Sequence, residues 1–175
     1  LELHVSTQAS TTNWHTVQMW KELGATRVVA AREVSLADLK EMKDHVDIEI
    51  ESFVHGSMCI SYSGRCLLSN YMTGNRDANR GQCSQSCRWK YSLVESNRPG
   101  EYYPIEEDEH GTYIFNSKDL CLIHRIPDLY EAGIDSLKIE GRMKSVHYCA
   151  TVAKVYRTAI DTYLKEGKDW YVRPE

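Results

Sequence analysis

The 175-residue sequence lacks several features that would place it in a broad class of proteins at once. It has no apolar run approaching the roughly 20 residues that a membrane-spanning helix requires. Residues 1–5 alternate in the manner of a β-strand and do not form a secretory signal. The net charge of −4 is small, so composition gives no global argument for nucleic-acid binding. We therefore expect a cytoplasmic protein without a membrane span, and a start inside a strand without Met suggests a fragment of a longer chain.

The sequence also lacks the short motifs of familiar hydrolases. Neither Gly-x-Ser-x-Gly nor His-Glu-x-x-His occurs, which removes the simplest serine and zinc peptidase hypotheses. A thiolate–imidazolium pair of Cys59 and His55 stays open. Glu51 and Glu140 are candidates for acid and base. The competing interpretations are that His55 holds a loop and that Glu51 pairs with a lysine.

Apolar residues (42%) and charged residues (26%) occur in the proportions of an ordinary globular domain. Strands are predicted at residues 1–5, 27–30, 47–53, 112–115 and 136–139, and helices after Asn13, after Ser35, at 118–132 and at 145–165. This alternation predicts an α/β fold of parallel βαβ units, either part of an eight-stranded (β/α)8 barrel or a small doubly wound sheet. Residues 69–111 break the rhythm as an irregular, cysteine-rich insertion within a single domain of residues 1–175.

We favour the partial barrel because polar residues follow the predicted strands. Glu51, Asn116, Lys138 and Glu140 lie at or just beyond the carboxyl ends of strands. In barrel enzymes these ends form the active site.

The sequence is not short of cysteine, and this is its strongest chemical signal. Five of the six cysteines can supply a four-thiolate metal site: Cys59, Cys66, Cys83, Cys87 and Cys121. The six-residue gap between the first two is loose for a zinc knuckle, but spacing alone leaves zinc and an iron–sulfur cluster both open. Disulfides would need an oxidising compartment. Cys149 lies on the apolar face of the last predicted helix and is excluded.

Basic residues accompany the cysteines and are candidates for binding an anionic substrate. They are Arg80, Arg88, Lys90, Lys138 and Arg142. Arginine binds carboxylates and phosphates through paired hydrogen bonds, and the neighbouring Trp89 and Tyr91 offer surfaces on which a base can stack. The alternative is an ordinary solvated, charged loop.

One stretch carries a specific family signature. Residues 51–69 follow the pattern Glu-x-Phe-x2-Gly-small-aliphatic-Cys-x4-Gly-x-Cys-x-aliphatic-Ser, and further matches occur at residues 79–83, 87–91, 116–121 and 138–145. On these residues the chain resembles the central-to-late part of the catalytic domain of the peptidase U32 family.

The resemblance implies a fold like a (β/α)8 barrel and two competing functions. One is collagenase-like proteolysis of a protein substrate such as collagen. The other is oxygen-independent hydroxylation of tRNA uridine, rRNA cytidine or ubiquinone precursors by proteins with a [4Fe–4S] cluster, of which the RNA-acting members are linked to prephenate. In that subgroup the positions of Cys59, Cys66, Cys83 and Cys121 are ligands, with the position of Cys87 used in one variant.

A third, non-enzymatic interpretation is a metal-stapled scaffold with no activity as a fragment. In an isolated fragment the thiols could hold zinc or no metal. A truncated barrel also leaves strand edges without partners, so we predict that the fragment self-associates.

Overall fold

A computed structural model describes residues 1–89, 91–104 and 118–172 of the chain. Its strands are β1 (His4–Val5), β2 (Arg27–Val29), β3 (Glu49–Gly56), β4 (Ser92–Leu93), β5 (Tyr103–Pro104), β6 (Leu120–Cys121) and β7 (Ser136–Glu140). Its helices are α1 (Trp14–Glu22), α2 (Leu36–His45), α3 (Leu68–Thr73), α4 (Ile126–Glu131) and α5 (Val146–Glu166). Short 3₁₀ turns include Thr7–Ala9, Ala78–Arg80, Ser86–Arg88, Ile123–Arg125 and Gly167–Asp169. No helix among the described residues is long and apolar enough to cross a membrane.

The central sheet is built around β3. Strands β1, β2 and β3 run parallel in that order, and β7 also pairs with β3 in parallel. The short β6 pairs antiparallel with the last two residues of β3, where His55 lies opposite Cys121. The pairing of β3 with β7 shifts register between Phe53 and His55, so one extra residue of β3 lies opposite β7 at that point.

The predicted α/β class is confirmed, but closure into a barrel is not. Four parallel strands carry helices between them, as the alternation of patterns predicted. The strands of the described residues form an open sheet. The finer prediction of a (β/α)8 barrel therefore remains a proposal for the longer protein.

Two apolar clusters hold the helices against the sheet. The first joins β2 and β3 to α1 and α2 and includes the fully buried Val17, Val28, Met42 and Ile50. The second packs α4 and α5 on the other end of β3 and on β7, around Val54, Leu129 and Tyr156.

The predicted helix starts are confirmed because their signals are local. Asn13, Ser35 and Ser145 each accept a hydrogen bond from a backbone N–H in the first turn of the helix that follows. At Ser35 the side chain of Asp38 completes a reciprocal capping box.

The helix predicted at residues 118–132 forms only over the later part of that range. Residues 120–121 form β6, a 3₁₀ turn follows at Ile123–Arg125, and α4 begins only at Ile126. Pro127 explains the late start, because proline has no N–H to donate and is tolerated only in the first turn of a helix. Cys121 therefore lies on a strand and not at the start of a helix.

The predicted insertion at residues 69–111 contains some regular structure. Helix α3, two of the 3₁₀ turns and the β4–β5 pair occupy its described part. The strand predicted at residues 112–115 and the candidate residue Asn116 lie outside the described residues.

Candidate functional site

A cleft of about 310 Å³ opens where the parallel strands end. Its walls come from the segments that follow β1, β2, β3 and β7, closed by loop residues between positions 60 and 88. Carboxyl ends of parallel strands meet at one edge of a sheet, so residues distant in sequence converge there. The volume is that of a small-molecule site.

Four of the predicted metal ligands line this cleft together: Cys59, Cys66, Cys83 and Cys87. All six cysteines of the chain are free thiols. Cys59 lies three residues after the end of β3. Cys83 and Cys87 flank Gln85, whose left-handed backbone (φ 53°) turns the chain between them. The backbone N–H of Gln85 donates to Cys83 Sγ at 3.3 Å.

The thiols of the cleft influence one another electrostatically. Burial raises the pKa of Cys59, and the nearby charges of Cys83, Cys66 and Glu140 add to this, while Arg32 acts in the opposite direction. Burial and the other three thiols likewise raise the pKa of Cys87, against the effect of Arg88. Cys59 and Cys87 therefore form thiolates most readily when a bound cation compensates their charge.

The four thiols surround the cleft and do not converge on one point. In the part of the chain that the structure describes, no three Cys, His, Asp or Glu side chains are grouped so as to hold a metal ion. The donor set itself consists of soft sulfur ligands, which suit an iron–sulfur cluster or zinc.

Cys121 lies apart from this group. It is on β6, its side chain is exposed, and it does not line the cleft. Burial raises the pKa of the Tyr156 phenol on α5, and the contact of its hydroxyl with the Cys121 thiol adds to this effect. The structure thus brings Cys87, the alternative fourth ligand, into the cleft and leaves Cys121 outside.

Gly64 brings the cysteine loop against the segment after β1. Its φ of +77° is a left-handed conformation, and a Cβ atom there would lie 2.1 Å from the carbonyl oxygen of Gln8. No other residue type fits this approach without moving the backbone. The contact positions the loop that carries Cys59 and Cys66.

Glu51 is held in a network of hydrogen bonds. Its side chain is 13% exposed and accepts hydrogen bonds from Lys138 Nζ at 2.8 Å and from Ser136 Oγ at 3.0 Å. Arg27 lies 3.4 Å away. Burial raises the pKa of this carboxyl, but Lys138 and Ser136 more than offset that effect and hold it below its ordinary value. Glu51 is therefore a fixed carboxylate paired with a lysine inside the sheet.

His55 faces helix α5. Its ring lies 5.9 Å from the ring of Tyr148 and 5.6 Å from that of Tyr156. Burial lowers its pKa, which favours the neutral imidazole. His55 does not line the cleft, and neither does any other histidine among the described residues. The proposed pair of Cys59 and His55 is thus not formed in this structure.

Glu140 does line the cleft. It accepts hydrogen bonds from Gln85 Nε2 at 3.1 Å and from the backbone N–H of Arg142 at 3.1 Å. The contact with Gln85 ties the end of β7 to the loop between Cys83 and Cys87. Glu140 is the one candidate acid or base that the structure places beside the thiols.

Arg88 has a structural role. Its guanidinium pairs with Asp119 at 2.8 Å and donates to the carbonyl oxygen of Met58 at 3.3 Å. Asp119 also pairs with Lys144 at 2.9 Å. Burial raises the pKa of Asp119. The hydrogen bond from Lys144 and the charges of both cations more than offset this effect and hold the pKa below its ordinary value. These ion pairs join the loop of Cys87, the entry to β6 and the start of α5.

The other predicted basic residues differ in position. Arg142 is exposed and lines the cleft, and Lys138 lines it while paired with Glu51. Arg80 is outside the cleft, with its side chain 81% exposed and a long contact of 3.7 Å to Asp77. Lys90 lies outside the described residues.

Sequence reasoning missed Arg32, which lines the cleft beside the thiols. Its guanidinium carbon lies 3.9 Å from the centre of the Phe53 ring. The rule that selected Glu51 and Lys138 would have found it, because Arg32 comes just after the predicted strand at residues 27–30. Phe53 was known only as part of the sequence pattern, and no local signal shows that it supports an arginine.

The comparison with protein families agrees with the pattern around the cysteines. The family model described as Peptidase family U32 matches residues 1–175. The chain belongs to peptidase family U32. The family resemblance inferred from the cysteine pattern is therefore confirmed over the whole chain.

Several relatives of the chain carry names that refer to RNA modification, while one, 44% identical over 94% of the chain and 40% of its own length, is named as an uncharacterized protease of Methanocaldococcus jannaschii. The chain is 54% identical to tRNA hydroxylation protein P1 of Bacillus subtilis over its whole length, which is 41% of that protein. It is 43% identical to tRNA hydroxylation protein P of Escherichia coli, with 92% of the chain and 44% of that protein covered. A more distant relative is the 23S rRNA 5-hydroxycytidine C2501 synthase of Escherichia coli, 35% identical over 97% of the chain and 25% of that protein.

The chain thus spans less than half the length of these U32 relatives. No solved structure matches it.

Proposed function

We propose that this chain is part of an enzyme that hydroxylates a pyrimidine base in RNA, either a tRNA uridine or an rRNA cytidine. The observation that carries the proposal is the cleft that collects Cys59, Cys66, Cys83 and Cys87 in a U32 chain. The printed names of three relatives refer to hydroxylation of tRNA and rRNA. In the intact protein we expect the open sheet to be completed as a (β/α)8 barrel, in the cytoplasm.

The proposed cofactor is a [4Fe–4S] cluster. Its ligands would be Cys59, Cys66 and Cys83, with Cys87 as the fourth by position and Cys121 as the fourth by family resemblance. When bound, the cluster would supply one-electron chemistry to the cleft. Soft thiolates that lie around one cleft suit this group, and zinc is the alternative metal.

The surroundings of the cleft suit an RNA substrate. Tyr62 lines the cleft with 74% of its surface exposed, and Trp89 is 46% exposed, so both offer faces on which an unpaired base can stack. Arg142 at the cleft and the exposed Arg80 supply positive charge for phosphates. RNA bases that undergo chemistry are read outside the stacked helix, which a cleft of this size accommodates.

Within the site, this chain's own residues would position the substrate and control protons. Glu140 is the candidate proton acceptor or donor because it lies beside the thiols with Gln85 and Arg142 as hydrogen-bond partners. The ion pair of Glu51 with Lys138 holds β3 and β7 together below the cleft. Arg88 and Asp119 hold the loop of Cys87.

The collagenase-like peptidase alternative is not favoured. It needs an activated nucleophile, and His55 packs against Tyr148 and Tyr156 while Cys59 lies in the cleft. Three of the four relatives compared above are named for RNA modification. The other alternative, for the isolated fragment, is a metal-stapled scaffold without activity. Its proposed self-association predicts a species larger than a monomer in light scattering.

The proposal is tested in the source organism by deleting the gene and analysing RNA nucleosides by mass spectrometry. Loss of a hydroxylated uridine or cytidine is expected, with recovery on expression of the wild-type protein. Cys59→Ser should fail to restore it, while Cys149→Ser, which changes a thiol outside the cleft, should succeed. Unchanged nucleosides in the deletion strain would refute RNA hydroxylation.

The cofactor is tested separately. Anaerobic purification of the intact protein should give a brown preparation that contains iron and acid-labile sulfide. A colourless protein without either would refute the cluster and leave the RNA activity to be judged on the nucleoside analysis.

A further inference from the structure

Two further grooves adjoin the cleft at different residues of the cysteine loop. The first, called here the Tyr62 groove, has a volume of about 530 Å³ and shares Cys59 and Tyr62 with the cleft. The second, called the Asn70 groove, has a volume of about 270 Å³ and shares Cys66 and Asn79 with the cleft. The cleft therefore opens into a groove at two separate places, so a ligand longer than one small molecule can extend out of it both ways.

The Tyr62 groove presents an aromatic face beside a positive charge. Tyr62 is 74% exposed and Ile60 is 45% exposed, so both offer apolar surface. Arg65 lines the groove, is exposed, and takes part in none of the ion pairs among the described residues. The carboxylate of Glu33 accepts hydrogen bonds from the N–H and Oγ of Ser63, at 3.2 and 2.9 Å. A base can stack on the tyrosine while the arginine neutralises its phosphate.

The Asn70 groove combines apolar surface with hydrogen-bonding groups. Leu67 at its wall is 75% exposed. Asn70 and Asp77 also line it, and Asn70 Nδ2 donates a hydrogen bond to Asp77 Oδ1. The side chain of Arg80 is 81% exposed and lies 3.7 Å from Asp77. Amide and carboxylate oxygens accept hydrogen bonds from the N–H groups of a base, and arginine binds phosphate, so this groove suits a second nucleotide.

The segment that forms the grooves is positively charged within an acidic chain. Residues 52–89 contain four arginines and a single acidic residue, Asp77, whereas the net charge of the whole chain is −4. Exposed apolar side chains continue on α3, where Tyr71 is 82% exposed and Met72 is 38% exposed. Local positive charge interleaved with exposed aromatic rings complements a nucleic-acid strand, whose phosphates are negative and whose bases stack.

We propose that the two grooves bind the nucleotides that flank the target base in a single-stranded segment of RNA. The target base occupies the cleft, one neighbour stacks on Tyr62, and the neighbour on the other side contacts Asn70 and Arg80. This inference rests on the proposed function, because it starts from a base in the cleft. It adds that the protein recognises a strand of several nucleotides, and not an isolated nucleotide or a paired duplex.

Fluorescence anisotropy of the intact protein with a labelled oligouridine tests the inference. The wild type should bind this RNA and should bind a fully paired RNA duplex of the same length at least about tenfold more weakly, because paired bases cannot stack on protein side chains. Unlabelled uridine monophosphate should compete at least about tenfold more weakly than unlabelled oligouridine, because one nucleotide fills the cleft but reaches neither groove.

Variants connect the binding to each groove. Tyr62→Ala should weaken oligouridine binding at least about fivefold, whereas Tyr62→Phe keeps the ring and should bind as the wild type does. Arg65→Gln and Arg80→Gln should each lower the slope of log affinity against log salt concentration by about 1, as expected for one lost phosphate contact. Arg157→Gln is the matched control: this arginine pairs with Asp161 on α5 and lines neither groove, so the slope should not change.

Three results would overturn the inference. The first is a wild-type protein that does not bind the oligouridine, and the second is one that binds the duplex or the mononucleotide as tightly. The third is a set of folded Tyr62→Ala, Arg65→Gln and Arg80→Gln proteins that bind oligouridine like the wild type. Thermal unfolding identifies the folded variants, and if these do not fold, the two wild-type comparisons decide.

The nucleoside analysis of the deletion strain judges the proposed function separately. If the deletion removes a hydroxylated nucleoside and the groove variants bind RNA normally, the enzyme stands and the grooves are refuted.

Discussion

Lys138 Nζ on β7 donates a hydrogen bond of 2.8 Å to Glu51 Oε1 on β3. The two residues are diagonal neighbours, because Glu51 lies directly opposite Ser136 and Phe53 opposite Lys138. The ion pair therefore links the two most extensively paired strands of the sheet at the floor of the cleft. A charged pair with one buried partner stabilises a structure only while both partners are present.

Glu51→Gln should lower the free energy of unfolding by about 2 kcal/mol near neutral pH, because charged hydrogen bonds to Lys138 and Ser136 are lost. The pKa of Glu51 is lowered in the folded protein. Its contribution is therefore present above the pKa of the unfolded chain and disappears as the pH falls through the folded pKa. Chemical denaturation at a series of pH values should show the wild-type and variant stabilities approaching each other in acid.

Glu49→Gln is the control for this change. Glu49 is on the same strand and pairs with Arg27 at 2.6 Å, but its side chain is 51% exposed. An exposed pair contributes little, so the loss should stay below about 1 kcal/mol. Equal losses for the two variants would show that burial of Glu51 does not strengthen its ion pair.

Gly56→Ala should destabilise the protein by more than about 3 kcal/mol. Gly56 has a φ of +102°, and a Cβ atom there would lie 2.1 Å from the carbonyl oxygen of Glu140 on β7. The control is Gly24→Ala, at a similar φ of +93° but with no atom within 4 Å of the added Cβ. It should cost only the backbone strain, about 1–2 kcal/mol. Thermal unfolding of both variants separates the clash from the strain.

The parts of the fold that could be predicted are those stabilised by contacts between residues close in sequence. Asn13, Ser35 and Ser145 start helices through hydrogen bonds to residues three positions away, so their sequence signal is complete. The start of α4 also has a local signal in Pro127, although the apolar pattern before it predicts a helix. The pairing of Cys121 with His55, 66 positions apart, has no local signal.

The site was predictable in kind but not in arrangement. The cysteine spacing indicated a metal site among five residues, and the family resemblance favoured Cys121 over Cys87. The structure groups Cys87 with the other three through the turn at Gln85, whose side chain donates a hydrogen bond to Glu140 on β7. Likewise, the guanidinium of Arg32 lies over the ring of Phe53 on the adjacent strand. Contacts between distant segments decided both arrangements.

Tyr156→Phe should lower the free energy of unfolding by about 1–2 kcal/mol. The hydroxyl of this buried residue donates to the carbonyl oxygen of Val54 at 2.7 Å and accepts from the N–H of Leu122 at 3.1 Å. It therefore fastens α5 to the junction of β3 and β6. Tyr130→Phe, at a residue that is 61% exposed, should leave the stability unchanged in the same denaturation experiment.

The identity of the fourth thiolate can be decided by iron analysis of serine variants of the intact, anaerobically purified protein. A serine hydroxyl is a much weaker ligand for iron than a thiolate, so replacing a ligand should reduce bound iron and visible absorbance. We expect Cys87→Ser to lose most of the iron and Cys121→Ser to retain it, because Cys87 lines the cleft and Cys121 is exposed on β6. Cys59→Ser is the positive control and Cys149→Ser the negative one. Loss of iron in Cys121→Ser with retention in Cys87→Ser would assign the fourth ligand to Cys121, and would require β6 to move toward the cleft when the cluster binds.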